Sequence, residues 1–77
     1  MEHIFELIRE ERKRQDVKWG AGRHLHDYEW LAILVEEVGE VAKEILERPN
    51  TTSLLSELVQ VASVAVVWME CINNYKE

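Results

Sequence analysis

The chain has 77 residues, 47% of them hydrophobic and 31% charged, and a net charge of -6. That is one small domain at most, too apolar for a disordered acidic tail and too acidic for a general binder of nucleic acid polymers, whose phosphates select basic surfaces. A domain this short buries only about 60 to 65% of its unfolded surface, so self-association is expected.

The single Cys71 excludes an intrachain disulfide. No apolar leader core with a small-residue cleavage site precedes the charged run from Arg9, and the expected location is the cytoplasm. Charge is sorted along the chain. Six of the nine basic residues, Arg9, Arg12, Lys13, Arg14, Lys18 and Arg23, form a basic first third; Glu36, Glu37, Glu40, Glu44, Glu47 and Glu57 form an acidic middle.

Ile4, Phe5, Leu7 and Ile8, followed by Glu10, Glu11, Arg12, Lys13 and Arg14, predict a first amphipathic helix that ends near Asp16. A loop from Lys18 to Asp27 follows, punctuated by Gly20 and Gly22, with Asp27 suited to cap the next helix. The second helix, Tyr28 to Glu47, carries a stripe of Leu31, Leu34, Val35, Val38, Val41, Ala42, Ile45 and Leu46 at 3 and 4 spacing, and Arg48, Pro49 and Asn50 end it. The third, Thr52 to Tyr75, is apolar on nearly every side, with Ser56, Ser63 and Glu70 as its polar strip.

Within the third helix the stretch Leu54 to Ile72 is interrupted by Glu57, Gln60 and Glu70, so it reads as a buried soluble helix without a membrane partner. A helix hydrophobic all round must be covered all round, and two helices of one short chain supply too little cover. The fold class expected is therefore all-α: a single domain over 1–77, a three-helix protomer that completes a four-helix-type bundle by oligomerisation, as a homodimer or homotetramer.

Four side chains carry the candidate chemistry. Glu37 and Glu40 are spaced i, i+3, as are Glu57 and Gln60, which puts the members of each pair about 60° apart on their helix; Glu36 flanks the first pair. Antiparallel packing would bring the pairs face to face. Such a pocket offers oxygen ligands only, which favours Mg²⁺ or Mn²⁺ over Zn²⁺.

Glu36, Glu37 and Glu40 by themselves are adequately read as a solvated face. Glu57 is not, since it sits among Leu54, Leu58, Val61 and Val64, where an unpaired charge is costly. A metal would remove that cost, and so would a buried salt bridge from Arg12 or Arg14. The pair His24 and His26 has no third zinc ligand nearby. Trp19, Trp30 and Trp68 read first as packing residues, and Cys71 as a small core hydrophobe.

The order Glu36-Glu37-Val38-Gly39-Glu40, then Glu57-Leu58-Val59-Gln60, resembles the E-E-x-x-E, spacer, E-x-x-D signature of the MazG-like all-α nucleoside triphosphate pyrophosphohydrolases. Glu11, Arg12, Arg14, Gln15, Lys18, Trp19 and Gly20, a His-containing loop, and Trp30-Leu31-Ala32-Ile33-Leu34 extend the likeness to the short phage- and integron-type members.

The resemblance implies hydrolysis of a nucleoside triphosphate between the α and β phosphates, to a monophosphate and pyrophosphate, by a helical oligomer. It implies Mg²⁺ ligands at Glu37, Glu40 and Glu57, with Gln60 at the fourth position, where the family has Asp. Glu36 and Glu37 would be the catalytic pair, Glu36 as ligand or as the group that orients the attacking water. A bound triphosphate needs further cations, and Lys18, Arg23 and Arg14 are the candidates for them, with Trp19 or Trp30 to stack on a base. The alternative, motivated by Gln60 and the short chain, is a weakened or inactive helical oligomer that serves as a nucleotide-binding or protein-interaction module.

Overall fold

A computed structural model describes residues 1–47 and 51–75, and among these the chain is helical with no strands. The helices are α1 (Glu2–Trp19), α2 (Asp27–Glu47) and α3 (Thr51–Tyr75). The predicted stop at Arg48, Pro49 and Asn50 lies outside the described residues.

The first helix runs a turn past the expected end at Asp16, because Val17, Lys18 and Trp19 contain no breaker. Gly20 stops it with φ of 93°, a left-handed conformation that costs a side-chain-bearing residue, and its N–H donates to the Asp16 carbonyl at 2.8 Å. Asp27 is the first residue of α2 and leaves the capping to its neighbours. The His26 carbonyl accepts from Glu29 and Trp30 N–H, and Glu29 Oε1 reaches back to accept from His26 N–H at 2.9 Å, one half of a capping box. The Asp27 carboxylate instead accepts from Trp68 Nε1 at 3.0 Å, tying the start of α2 to α3.

The third helix is the spine. It packs against both α1 and α2, while among the described residues α1 and α2 do not pack against each other. The core is correspondingly small: Trp30, Val67 and Cys71, with Leu25, Ile33 and Trp68 packed around them. Cys71 takes the core position expected of it. Ser63, expected on a polar strip, is fully buried, since that side of α3 is the one its two neighbours cover.

The stripe expected to form the core face of α2 divides. Trp30, Ile33, Leu34, Glu37, Val41 and Glu44 turn inward, whereas Leu31, Val35, Val38, Ala42 and Ile45 are exposed, Val35 at 60%. The second set lies about 110° round the helix from the first and repeats at 4-3-4-3 spacing. Leu55, Leu58, Met69 and Ile72 of α3 are also exposed. By length and composition alone, Thr52–Tyr75 is apolar enough to cross a membrane, with a mean hydropathy of 1.6, and 22% of that window is buried within the protomer.

Candidate functional site

Because α1 and α2 stand apart, a cleft of about 300 Å³ opens between them. Val64 and Val67 of α3 form its floor, Gln15 and Trp19 of α1 one wall, Trp30, Ile33, Glu36 and Glu37 of α2 the other, and Arg23 of the connecting loop closes one end. Three helices thus bring two of the expected carboxylates and two of the expected substrate-binding residues into one cavity.

The loop that carries Arg23 is held on both sides of it. Tyr75 Oη donates to the Gly22 carbonyl at 2.8 Å, and the His24 ring stacks on the Tyr75 ring at 4.2 Å between centroids. Gly22 has φ of 69°, which lets the chain turn back toward α3 at that point. Arg23 is thereby placed over two indoles, with its Cζ 5.2 Å from the Trp30 centroid and 5.8 Å from that of Trp19, and Lys18 Nζ lies 4.9 Å over the Trp19 ring. Each is a cation–π contact. The two tryptophans differ in access: Trp19 is 56% exposed, whereas Trp30 is fully buried, its packing role realised and its face covered by the arginine.

The carboxylates act on one another at Glu37. Burial is the largest cause that raises the Glu37 carboxyl above the usual range, followed by the charges of Glu57, Glu36, Glu40 and Glu11. Glu57 and Glu40 therefore lie within electrostatic reach of Glu37, and α1 contributes a carboxylate that the sequence reading passed over. The sequence places Glu11 on the charged part of α1 without a site role; its i, i+4 step from Gln15, which lines the cleft, is the signal that points it this way.

The cations do not neutralise this cluster. Arg12 is engaged with Asp16 at 3.1 Å and Glu70 at 2.9 Å, and Arg14 forks onto Glu11 at 2.9 and 2.6 Å. That hydrogen bond first, and the Glu11 charge second, hold the Arg14 guanidinium above its ordinary range. Neither arginine pairs with Glu57, so among the described residues the salt-bridge alternative is not realised.

Three expected residues lie elsewhere. Gln60 and Arg14 line a second groove between α1 and the start of α3, with Leu7, Glu10, Glu11, Leu55, Ser56 and Val59, because the position three residues after Glu57 turns toward α1. Glu40 stands on the outer flank of α2 beside Lys43, Glu44 and Glu47. Among the described residues no three Asp, Glu, His or Cys side chains converge tightly enough to enclose a metal ion. The carboxylates share a neighbourhood and a common repulsion, and their oxygen-only chemistry suits a hard divalent cation.

Comparison of the chain with protein-family models, with curated proteins and with solved structures finds no match.

Proposed function

We propose that this protein is a Mg²⁺-dependent nucleoside triphosphate pyrophosphohydrolase of the MazG-like kind, which cleaves between the α and β phosphates and works as a helical homo-oligomer. One observation carries the reading. Glu37, desolvated and repelled by Glu57, Glu36, Glu40 and Glu11, stands in a cleft whose opposite wall bears Trp19 and whose end bears Arg23. Glu11 is paired with Arg14, but Glu36, Glu37, Glu40 and Glu57 have no basic partner among the described residues, which favours a cation, and the flanking aromatic and cationic groups favour a nucleotide.

In this reading Glu37, Glu40 and Glu57 would hold Mg²⁺, or Mn²⁺ in its place, by closing in from the separate positions they occupy in the protomer, and the ion would supply charge neutralisation along the phosphates. Glu36, exposed at the same cleft, orients the attacking water and accepts its proton. Water oxygen adds to phosphorus as the α–β bridging P–O bond breaks, and pyrophosphate and monophosphate leave. Lys18, beside the open face of Trp19, is the cation nearest to hand for the phosphate chain.

The exposed seam Leu31, Val35, Val38, Ala42 and Ile45 supports oligomerisation, since a 4-3-4-3 apolar repeat is the pattern one helix offers another. A second copy would cover it and complete a four-helix-type bundle. The same seam, with Gln60 where the family has Asp, also favours a second reading: an interaction module that has the fold and lacks turnover.

Purified protein incubated with each NTP and dNTP plus Mg²⁺ or Mn²⁺ decides between them. Release of monophosphate and pyrophosphate, lost in Glu37→Ala and Glu40→Ala, is the expected result. Silence across the whole panel at high enzyme concentration would leave the interaction module standing.

A further inference from the structure

The sequence alone suggested Arg23 as a phosphate ligand, but its surroundings fit a different task. Its guanidinium is held over Trp30 and Trp19, on a loop clamped to α3 by Tyr75 through both neighbouring residues, and it makes no ion pair among the described residues. An arginine held over aromatic rings without an ion-pair partner keeps its N–H groups available to a ligand. Apart from the carboxylates Glu36 and Glu37, the other polar residues that line the cleft, Gln15 and the two tryptophans, carry donors too. Gln15 Oε1 accepts from Arg12 Nη1 at 3.2 Å, which leaves the amide N–H₂ as the free end of that side chain. Trp30 lines the same cleft, and its indole N–H is buried without an acceptor.

From this we infer that Arg23 reads the edge of a nucleobase stacked on Trp19, and that the cleft selects bases presenting two adjacent acceptors, guanine through O6 and N7 or cytosine through O2 and N3. The inference rests on the reading of the cleft as a nucleotide site. Adenine sets an amino donor beside N7, and uracil sets an N–H between its two carbonyls, so each brings a donor against the donor-lined end of the cleft. A wrong base at a bidentate arginine forfeits one good pair of hydrogen bonds, roughly 5- to 150-fold in affinity. The carboxylates Glu36 and Glu37 stand on the α2 wall of the same cleft, so a base at the Arg23 end leaves its phosphates to run toward them.

Two measurements on the full chain test this. The first is binding of GMP, CMP, UMP and AMP by calorimetry without metal, so that phosphate-metal contacts play no part. The second is kcat/KM for the four triphosphates with Mg²⁺. Guanine and cytosine nucleotides should exceed adenine and uracil nucleotides by about tenfold or more in both, and Arg23→Lys, which keeps the charge and loses the fork, should erase the preference by bringing GMP and CMP binding down to the level of AMP and UMP.

Equal binding of the four monophosphates, or binding of none, overturns the inference, as does a preference that survives in Arg23→Lys. Equal turnover of all four triphosphates would overturn it while the proposed activity stands. Ordered monophosphate binding with no turnover would uphold the base-edge assignment and remove the activity instead.

Discussion

Glu57 of α3 lies within electrostatic reach of Glu37 of α2, and its charge stands second only to desolvation among the causes that hold the Glu37 carboxyl above its ordinary value of 4.5. The two helices have brought like charges together at their contact, and no basic side chain among the described residues pairs with Glu57. Folding has to hold that repulsion in place, which gives it consequences for pH, for cations and for mutation.

The pH dependence follows from the direction of the shift. Because the folded-state value is raised, the native chain binds more protons than the unfolded chain across the window from about 4.5 upward to the raised value. The contribution of Glu37 to stability is then fully present below the unfolded value and is lost as pH rises through the folded one. Denaturant midpoints measured in steps of pH on metal-free protein should fall across that window. The profile of Glu37→Gln should be flatter there, and its stability at neutral pH higher; parallel profiles for the two proteins would contradict the assignment.

Mg²⁺ or Mn²⁺ should oppose the same repulsion. A cation specific to the folded state raises thermal stability with concentration, by about 2.7 kcal/mol at a hundredfold excess over its Kd. Glu57→Gln should reduce the gain and Arg9→Gln, at an exposed position on the far part of α1, should leave it intact. A melting temperature indifferent to millimolar cation would speak against a metal at these carboxylates.

Turnover should be most sensitive at the two residues that line the cleft from α2. Glu36→Gln and Glu37→Gln are each expected to lower kcat by about 10²- to 10⁴-fold, the usual cost of losing a group that moves a proton or holds the ion that assists it. Gln60→Asp should change kcat by less than about threefold, because Gln60 lines the groove between α1 and α3 instead of the cleft. A gain of about tenfold or more in that variant would make position 60 a ligand and mark the natural chain as a weakened enzyme.

The exposed seam on α2 gives a prediction on assembly. Val35→Lys places a charge in the middle of Leu31, Val35, Val38, Ala42 and Ile45. If a second copy covers this seam, the substitution should weaken self-association by about a hundredfold or more, since the charge would be buried unpaired. Sedimentation of wild type and variant over a range of concentrations reads this directly. A wild-type protein that stays a monomer at high concentration would remove oligomerisation through this face.

Much of this architecture was legible before any coordinates. Among the described residues α2 runs to Glu47 and α3 to Tyr75, so the expected helices are continuous over those spans, because apolar periodicity persists along them. The end of α1 does not agree with the expected one, since charge alone does not break a helix and the chain continued to the first glycine that could turn it. The spacing of Glu37 and Glu40 on α2 and the place of Glu57 on α3 were legible in the sequence, and the charges of Glu40 and Glu57 both act on Glu37.

By itself, then, the sequence determined that this chain is helical, that it forms three helices, and which acidic side chains are spaced three residues apart. Helical propensity, glycine punctuation and i, i+3 spacing are local properties, and local properties are readable along a chain. Only the tertiary structure decided which side of α2 turns inward, because that helix is apolar on more than one side and periodicity cannot say which of them meets α3. Packing likewise placed Glu11 in reach of Glu37, turned Gln60 to the other groove, and set Arg23 over Trp30 and Trp19. These depend on α3 packing against both other helices while, among the described residues, α1 and α2 do not pack against each other, a relation among residues far apart in the chain.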